Sequence, residues 1–231
     1  MTSHLHIYED RGAAGRELAQ TLRGHVLQPP VLVLGLPRGG VPVAYEVASA
    51  LQAPLDVMLV RKIGMPGHSE LAIGAIASGG IVVRDPQIAA ETARTGEIFN
   101  RLVERERREL ERRERAYRSG LDPLNLEGNT VILVDDGLAT GSTMLAAVRA
   151  ARKAGAASIV VAAPVAAPEA VELVRAEADS MVILETPAML FAIGEWYRNF
   201  EQLEDTEVLR LLELNRRLRR NPMRPRAHES M

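Results

Sequence analysis

The stretch VILVDDGLATGST, residues 131–143, is an apolar run that ends in two acids and then turns through small residues into a predicted helix. The apolar run is typical of a strand that is buried on both faces. Because the loop residues are small, their backbone N–H groups can converge on an anion, and the helix adds its positive N-terminal dipole. Thr140, Ser142 and Thr143 add hydroxyl donors. The stretch therefore predicts a phosphate cradle.

Asp135 and Asp136 lie at the carboxyl end of this predicted strand. Their carboxylates can accept hydrogen bonds from vicinal hydroxyls or hold a hydrated Mg²⁺. A cradle beside two acids fits a sugar phosphate with free hydroxyls. A Walker A loop would need a lysine before the hydroxyl residue, and Ser142 follows Gly141 directly. A receiver domain has its paired acids after its first strand, whereas this strand comes late; an ordinary capped helix N-terminus is the remaining alternative.

Similar apolar runs recur along the chain and alternate with helical patterns. The runs begin at Val31, Leu55, Thr130, Ser158 and, in a shorter form, Met181. The helical patterns cover 41–51, 142–154 and 168–177. This alternation predicts an α/β fold with an open parallel sheet built from right-handed crossovers. Ligands of such sheets bind beyond the carboxyl ends of the strands, so we expect the site in the loops after Gly35, Val60 and Val134.

The motif at 131–143 resembles the signature of the type I phosphoribosyltransferases: four apolar residues, two acids and a loop ending Thr-Gly-X-Thr before a helix. The resemblance implies an open, mainly parallel five-stranded sheet flanked by helices, with a small hood from the termini. It also implies that phosphoribosyl pyrophosphate (PRPP) binds with its ribose hydroxyls on Asp135 and Asp136, which would hold Mg²⁺ through water. Its 5-phosphate is then expected on Ala139, Thr140, Gly141, Ser142 and Thr143.

The segment GLPRGG, residues 35–40, follows the first predicted strand and resembles the pyrophosphate loop of the family. The residues that this resemblance assigns to pyrophosphate are Pro37, Arg38, Gly39 and Gly40. Such loops in this family often contain a cis peptide bond. Because the cis form costs least before proline, we expect it at Leu36–Pro37, with a trans turn as the alternative.

The segment VRKIGMPGHSE, residues 60–70, resembles the base of the catalytic flexible loop in the adenine-specific branch of the family. Its glycines and proline predict irregular chain. Arg61 and Lys62 are candidates to neutralise the departing pyrophosphate. His68 and Glu70 are candidate acid/base groups on a closing lid, with an ordinary surface loop as the alternative.

One position departs from the 6-oxopurine enzymes of the family. Where those enzymes have an Asp that acts on the purine ring nitrogen, this chain has Ala139. Hypoxanthine and guanine are therefore disfavoured as acceptors. Adenine-like, orotate-like and non-standard acceptors remain open.

The resemblance predicts a single domain over residues 1–231. Its core covers about 26–185, its hood about 1–25 and 186–214, and a basic tail at 215–231 is expected to be disordered. Trp196 and Tyr197 are the candidates to stack on a planar acceptor. We assign the two other aromatic residues of this region, Phe191 and Phe200, to a small core of the hood itself.

A long helical pattern covers about Pro86 to Arg118. Between Arg101 and Arg118 it has eight Arg and five Glu, with acid–base pairs at i,i+4 spacing such as Glu109/Arg113. Such pairing favours an exposed, solvated helix over an RNA-binding one.

Composition excludes several classes of protein. Lys+Arg 28 against Asp+Glu 30 gives a net charge of −2, which argues against a polycation that coats nucleic acid. With Cys 0, disulfides, thiolate metal sites and cysteine nucleophiles are excluded. No apolar run approaches the ~20 residues of a membrane span, and we expect a cytoplasmic protein.

We therefore expect a Mg²⁺-dependent phosphoribosyltransferase that transfers ribose 5-phosphate from PRPP to a nitrogen acceptor, most simply as a homodimer. The alternative is a regulator that senses PRPP and binds nucleic acid through the helix at 101–118 or the tail at 216–226. The near-neutral charge and the interleaved Glu residues weigh against that alternative.

Overall fold

The computed structural model describes residues 6–25, 27–65, 68–84 and 96–220 of the chain. Its strands, β1 to β8, are Val31–Gly35, Leu55–Val57, Val60–Met65, His68–Ala77, Ile81–Arg84, Thr130–Val134, Ser158–Val165 and Ser180–Glu185. Its helices, α1 to α6, are Arg11–Arg23, Gly40–Leu51, Gly96–Arg118, Ser142–Lys153, Pro168–Arg175 and Asp205–Arg220. Short 3₁₀ turns occupy Ser78–Gly80 and Ile193–Trp196.

Five strands form one parallel sheet in the order β2-β1-β6-β7-β8, which confirms the predicted α/β architecture. Successive residues of β6 point to opposite faces of this sheet. Ile132 and Val134 pack in the core that contains α1 and α2, while Val131 and Leu133 pack with α4 and α5 on the other face. Because both faces are covered by helices, each strand is an almost continuous apolar run.

The order of the strands fixes the place of the site. β1 has β2 on one side and β6 on the other, so the direction in which strands are added reverses at the β1–β6 pair. Gly35 and Val134 are partners in that pair. The loops that follow them, at 36–39 and 135–141, therefore begin side by side at the carboxyl edge of the sheet.

A second sheet, β3-β4-β5, is antiparallel, and the sequence analysis did not predict it. Residues 60–65 form strand β3, which pairs with β4, and the register of this pair shifts around Gly64, one of the residues on which the expectation of irregular chain rested. The sequence analysis gave weight to the glycines and overlooked Ile63 and Ile76, whose burial fixes the strand pair against the core. Pro66 and Gly67, and the predicted start of the long helix at Pro86, lie outside the described residues.

The C-terminal helix extends into the predicted tail. α6 continues to Arg220, so disorder from residue 215 was the wrong expectation for its first six residues; 221–231 lie outside the described part. Val208, Leu212 and Asn215 recur at helical spacing and are buried. The Asn215 side chain accepts a hydrogen bond from Leu55 N at 3.0 Å and donates one to Ala53 O at 3.3 Å. This helix is therefore fixed to the edge strand β2.

We predict that Asn215→Ala lowers the free energy of unfolding by about 1–3 kcal/mol, because a buried backbone donor and acceptor lose their partner. Urea denaturation measures the change. Arg219→Ala, at an exposed position of the same helix, is the control and should change the stability little. Equal stability of the two variants would contradict the docking role of Asn215.

Candidate active site

The acid pair packs directly against the glycine loop that follows β1. Asp135 accepts a hydrogen bond from the backbone N–H of Asp136 through Oδ1 at 2.9 Å. A Cβ added at Gly39 would overlap with Asp136 Oδ2, and one added at Gly40 would lie only 2.5 Å from Val134 O. Only glycine allows the two loops to approach this closely.

The cis peptide bond of this loop lies one residue later than expected. It joins Pro37 to Arg38, so the prediction for Leu36–Pro37, which considered only the low intrinsic cost of cis before proline, was wrong. The Arg38 side chain donates to Leu203 O at 2.6 Å, and its Nε lies 3.7 Å from Asp205 Oδ1. The predicted pyrophosphate loop is thus linked to the segment that leads into α6.

Arg11 is a site residue that the sequence analysis missed. It is the first residue of α1, after the N-cap Asp10, whose side chain accepts a hydrogen bond from Ala13 N. Its Nε donates to Asp136 Oδ2 at 2.7 Å, and both side chains are only 11% exposed. Its Nη1 donates to Glu201 O at 3.0 Å, and its guanidinium lies 3.8 Å from the ring centroid of Phe200. No local pattern links residues 125 positions apart, so only the tertiary fold shows this ion pair.

The electrostatics of the acid pair favour a cationic or hydrogen-bonding ligand. Burial, and next the negative charge of Asp136, raise the pKa of Asp135 well above its ordinary value. The backbone hydrogen bond from Asp136 and the Arg11 charge offset these effects only in part. Carboxylates in this arrangement gain when hydroxyl donors or a divalent cation bind them.

The loop predicted to cradle a phosphate leads directly into α4. Gly141 has φ 72°, the left-handed conformation. It is the N-cap of α4, and because it has no side chain it makes no capping hydrogen bond to the first turn of the helix. Thr140 Oγ1 and Ser142 Oγ lie 2.9 Å apart. Backbone N–H groups and hydroxyls are therefore presented together at a helix N-terminus, which is the arrangement that binds phosphate.

Comparison with known proteins agrees with this geometry. A family model described as a phosphoribosyl transferase domain matches residues 2–197. The chain belongs to the phosphoribosyl transferase family.

Two relatives show how far the similarity of this family member extends. A protein named as a phosphoribosyl transferase in Mycobacterium tuberculosis, strains CDC 1551 and H37Rv, is 45% identical over 207 residues, which are 90% of this chain and 46% of the relative. The chain thus spans about half the length of these relatives. The crystal structure of the protein TT1426 from Thermus thermophilus matches with a TM-score of 0.82 and 42% identity, over 89% of this chain and 97% of that one.

Arg61 and Lys62 of this phosphoribosyl transferase domain have different partners. Arg61 donates to Glu106 Oε2 of α3 at 3.0 and 2.7 Å, from Nε and Nη2. Lys62 Nζ instead donates to Ser142 Oγ, in the phosphate cradle, at 2.6 Å. The role of both residues in neutralising the departing pyrophosphate stays a prediction. His68 and Glu70 begin β4, and their side chains lie outside the described part of the structure.

The four aromatic residues of the hood differ from the prediction in how deeply they are buried. Trp196 and Tyr197 are 6% and 5% exposed and pack in one cluster with Tyr8, so neither has a free face for an acceptor. Phe191 and Phe200, assigned to the hood core, are 76% and 37% exposed. The assignments failed because residue type does not reveal which ring meets Tyr8, a contact that depends on the N-terminal segment.

Tyr197 supports the site from within the hood. Its hydroxyl donates to the backbone carbonyl of Asp136 at 2.5 Å, and its ring stacks on Phe200. A cleft of about 440 Å³ lies beside this cluster. It is lined by the acid pair, the loop at 37–39, Arg11 and the segment 200–203.

The charged helix α3 is only partly a solvated helix. The predicted pair Glu109/Arg113 is present at 3.0 Å. Glu106 is instead nearly buried, between Arg61 and Arg105. Burial raises its pKa, but the hydrogen bonds and charges of the two arginines lower it by more, so the pKa of Glu106 lies below its ordinary value of 4.5.

We predict that Glu106→Gln lowers the free energy of unfolding by about 1–3 kcal/mol at pH 7, because it removes charged hydrogen bonds to Arg61. Since the folded-state pKa of Glu106 is lowered, its contribution is present above the unfolded-state pKa and is lost as the pH falls through the folded-state pKa. The difference from the wild type should therefore shrink in acid. Urea denaturation across pH measures this, with the exposed Glu104→Gln of the same helix as the control. A pH-independent difference would contradict the pairing.

A second prediction concerns the close approach of the two loops. Gly39→Ala should cost about 1–3 kcal/mol of stability, because its Cβ would displace the Asp136 carboxylate from Arg11. Gly24→Ala is the matched control, since its Cβ would meet nothing closer than 3.5 Å. Thermal denaturation compares the two variants, and equal melting temperatures would show that the loops are not in contact.

Proposed function

We propose that this chain transfers ribose 5-phosphate from PRPP to a nitrogen acceptor and releases pyrophosphate. One observation carries the proposal: the β1–β6 pair brings the glycine loop, the acid pair and the phosphate cradle to one edge of the sheet. These three parts match the three anionic or hydroxyl-bearing groups of PRPP. Family membership supports the same activity.

Each part has a role in the proposed reaction. The cradle at 139–143 binds the 5-phosphate, Asp135 and Asp136 accept hydrogen bonds from the ribose hydroxyls, and the loop at 37–40 binds the pyrophosphate. The bond between the anomeric carbon and the pyrophosphate oxygen breaks, the acceptor nitrogen forms a bond to that carbon, and the proton that this nitrogen loses is taken up by the released pyrophosphate. Positioning and charge stabilisation of the leaving group supply the catalysis.

Magnesium fits this site as part of the substrate complex. Within the described ranges, no group of three or more His, Cys, Asp or Glu side chains is arranged to hold a metal ion by itself. Mg²⁺ is commonly bound by one or two carboxylates together with waters and substrate phosphates. Asp135 and Asp136 would hold it through water. When bound, it would neutralise charge on the phosphate oxygens.

The acceptor would enter the cleft of about 440 Å³ beside the acid pair. With Trp196 and Tyr197 buried, Phe200 is the aromatic ring that this cleft presents. The backbone of residues 201–203 provides polar groups next to it. Because Arg11 and Tyr197 already lie against the Phe200 ring, we expect a planar acceptor to contact the exposed edge of this ring and this backbone.

Phosphorus NMR of PRPP and Mg²⁺ with the protein, with and without a mixture of nucleobases, tests the proposal. Base-dependent release of pyrophosphate is the expected result, and splitting the mixture then identifies the acceptor. PRPP that remains unbound and unchanged would contradict the proposal. PRPP signals that broaden without turnover would favour the regulatory alternative. An exposed row of arginines on α3 supports that alternative: Arg101, Arg105, Arg108, Arg112 and Arg115.

We predict that Asp135→Asn and Asp136→Asn each lower turnover by about 100-fold or more, because each replaces a carboxyl group that accepts a hydrogen bond from a ribose hydroxyl in the proposed reaction by an amide. The same NMR assay measures the loss, and thermal denaturation checks that the variants fold. Asp122→Asn, at an exposed position away from the site, is the control. Full activity in both site variants would overturn the mechanism.

Assembly and location remain predictions. We expect a homodimer, the commonest closed assembly, in the cytoplasm. Across the four described ranges, no helix has both the length and the hydropathy that a bilayer span requires.

A further inference from the structure

Strand geometry separates Arg61 and Lys62. Successive side chains of a β-strand point to opposite faces, so those of neighbouring residues in β3 leave the strand in opposite directions. Lys62 is the register partner of Ala75, within the continuous part of the β3–β4 pair. On one face Arg61 meets Glu106 of α3, and on the other Lys62 meets Ser142 of α4. The two cations therefore have partners on different helices.

The phosphate cradle has no cation of its own. Residues 137–143, GLATGST, contain neither Lys nor Arg. A phosphate monoester carries a charge of about −1.5 to −2 at pH 7, and backbone N–H groups and a helix dipole supply only partial positive charge. Any full positive charge at the cradle therefore comes from another segment of the chain.

Lys62 supplies that charge. Its Nζ lies 2.6 Å from Ser142 Oγ, which in turn lies 2.9 Å from Thr140 Oγ1. Three donors from two elements thus converge at the first turn of α4, where the Lys62 residue is exposed. A small hollow of about 80 Å³ between Lys62, Ala75 and Ser142 continues from this point. An ammonium group fixed in this way is a point charge suited to a phosphate.

We propose that Lys62 binds the 5-phosphate of PRPP, as a fourth side-chain donor of the cradle, and does not bind the pyrophosphate. This assignment rests on the proposed function. It leaves Arg38 as the cation of the pyrophosphate loop, where its side chain lies at the mouth of the cleft with Asp135 and Asp136. Arg61 stays a structural residue that joins β3 to α3.

The two halves of PRPP, used separately, test the assignment. Ribose 5-phosphate and pyrophosphate, each with Mg²⁺, are titrated calorimetrically into the full chain as wild type, Lys62→Gln and Arg38→Gln. We expect Lys62→Gln to weaken ribose 5-phosphate by about tenfold or more, and to change the pyrophosphate affinity by less than about twofold. Arg38→Gln should show the reverse. Lys62→Arg keeps the charge and should retain most of the ribose 5-phosphate affinity.

The remaining outcomes are distinct. Lys62→Gln that weakens pyrophosphate and spares ribose 5-phosphate would overturn the assignment and restore the catalytic-loop role. Unchanged affinity for both ligands would overturn it as well. Binding of neither ligand by the wild type would instead overturn the proposed function, and this assignment with it. Thermal denaturation of Lys62→Gln confirms folding, which an exposed position should leave unaffected.

Discussion

The site depends on one close approach, that of the backbone at Gly39 and Gly40 to the acids at the end of β6. The pairing of Gly35 with Val134 starts both loops at the same level, and the absence of Cβ atoms lets them touch. Asp136 is then enclosed on one side by the glycine loop and on the other by Arg11. A buried carboxylate is tolerated there because it is paired and hydrogen-bonded.

Arg11 extends this contact to the rest of the molecule. Through it the first helix, the acid pair and the segment after the hood share one set of interactions, since its guanidinium reaches Asp136, Glu201 and Phe200. Tyr197 adds a hydrogen bond to the backbone of the same acid. Arg11 therefore joins the N-terminal helix and the segment 200–201 at the acid pair, beside the cleft.

At the other end of the site, one small sheet contacts two different helices. The β3–β5 sheet brings one cation to α3 and the next to α4, because a strand alternates its side chains. Arg61 holds the long helix through Glu106, while Lys62 reaches the phosphate cradle. One small antiparallel sheet thereby connects the charged helix, whose outer face is solvated, to the substrate-binding edge of the parallel sheet.

The sequence by itself determined the parallel sheet, and it located the acid pair and the small-residue loop before a helix, because each depends on neighbouring residues: apolar runs, small loop residues and a helix start within one short motif. The N-cap Asp10 and the pair Glu109/Arg113 are local in the same way. Only the tertiary structure decided the partners of Arg11, Lys62, Asn215 and the hood aromatics. Those contacts join residues far apart in the chain, and the free energy that selects them comes from packing and burial, which no local pattern contains.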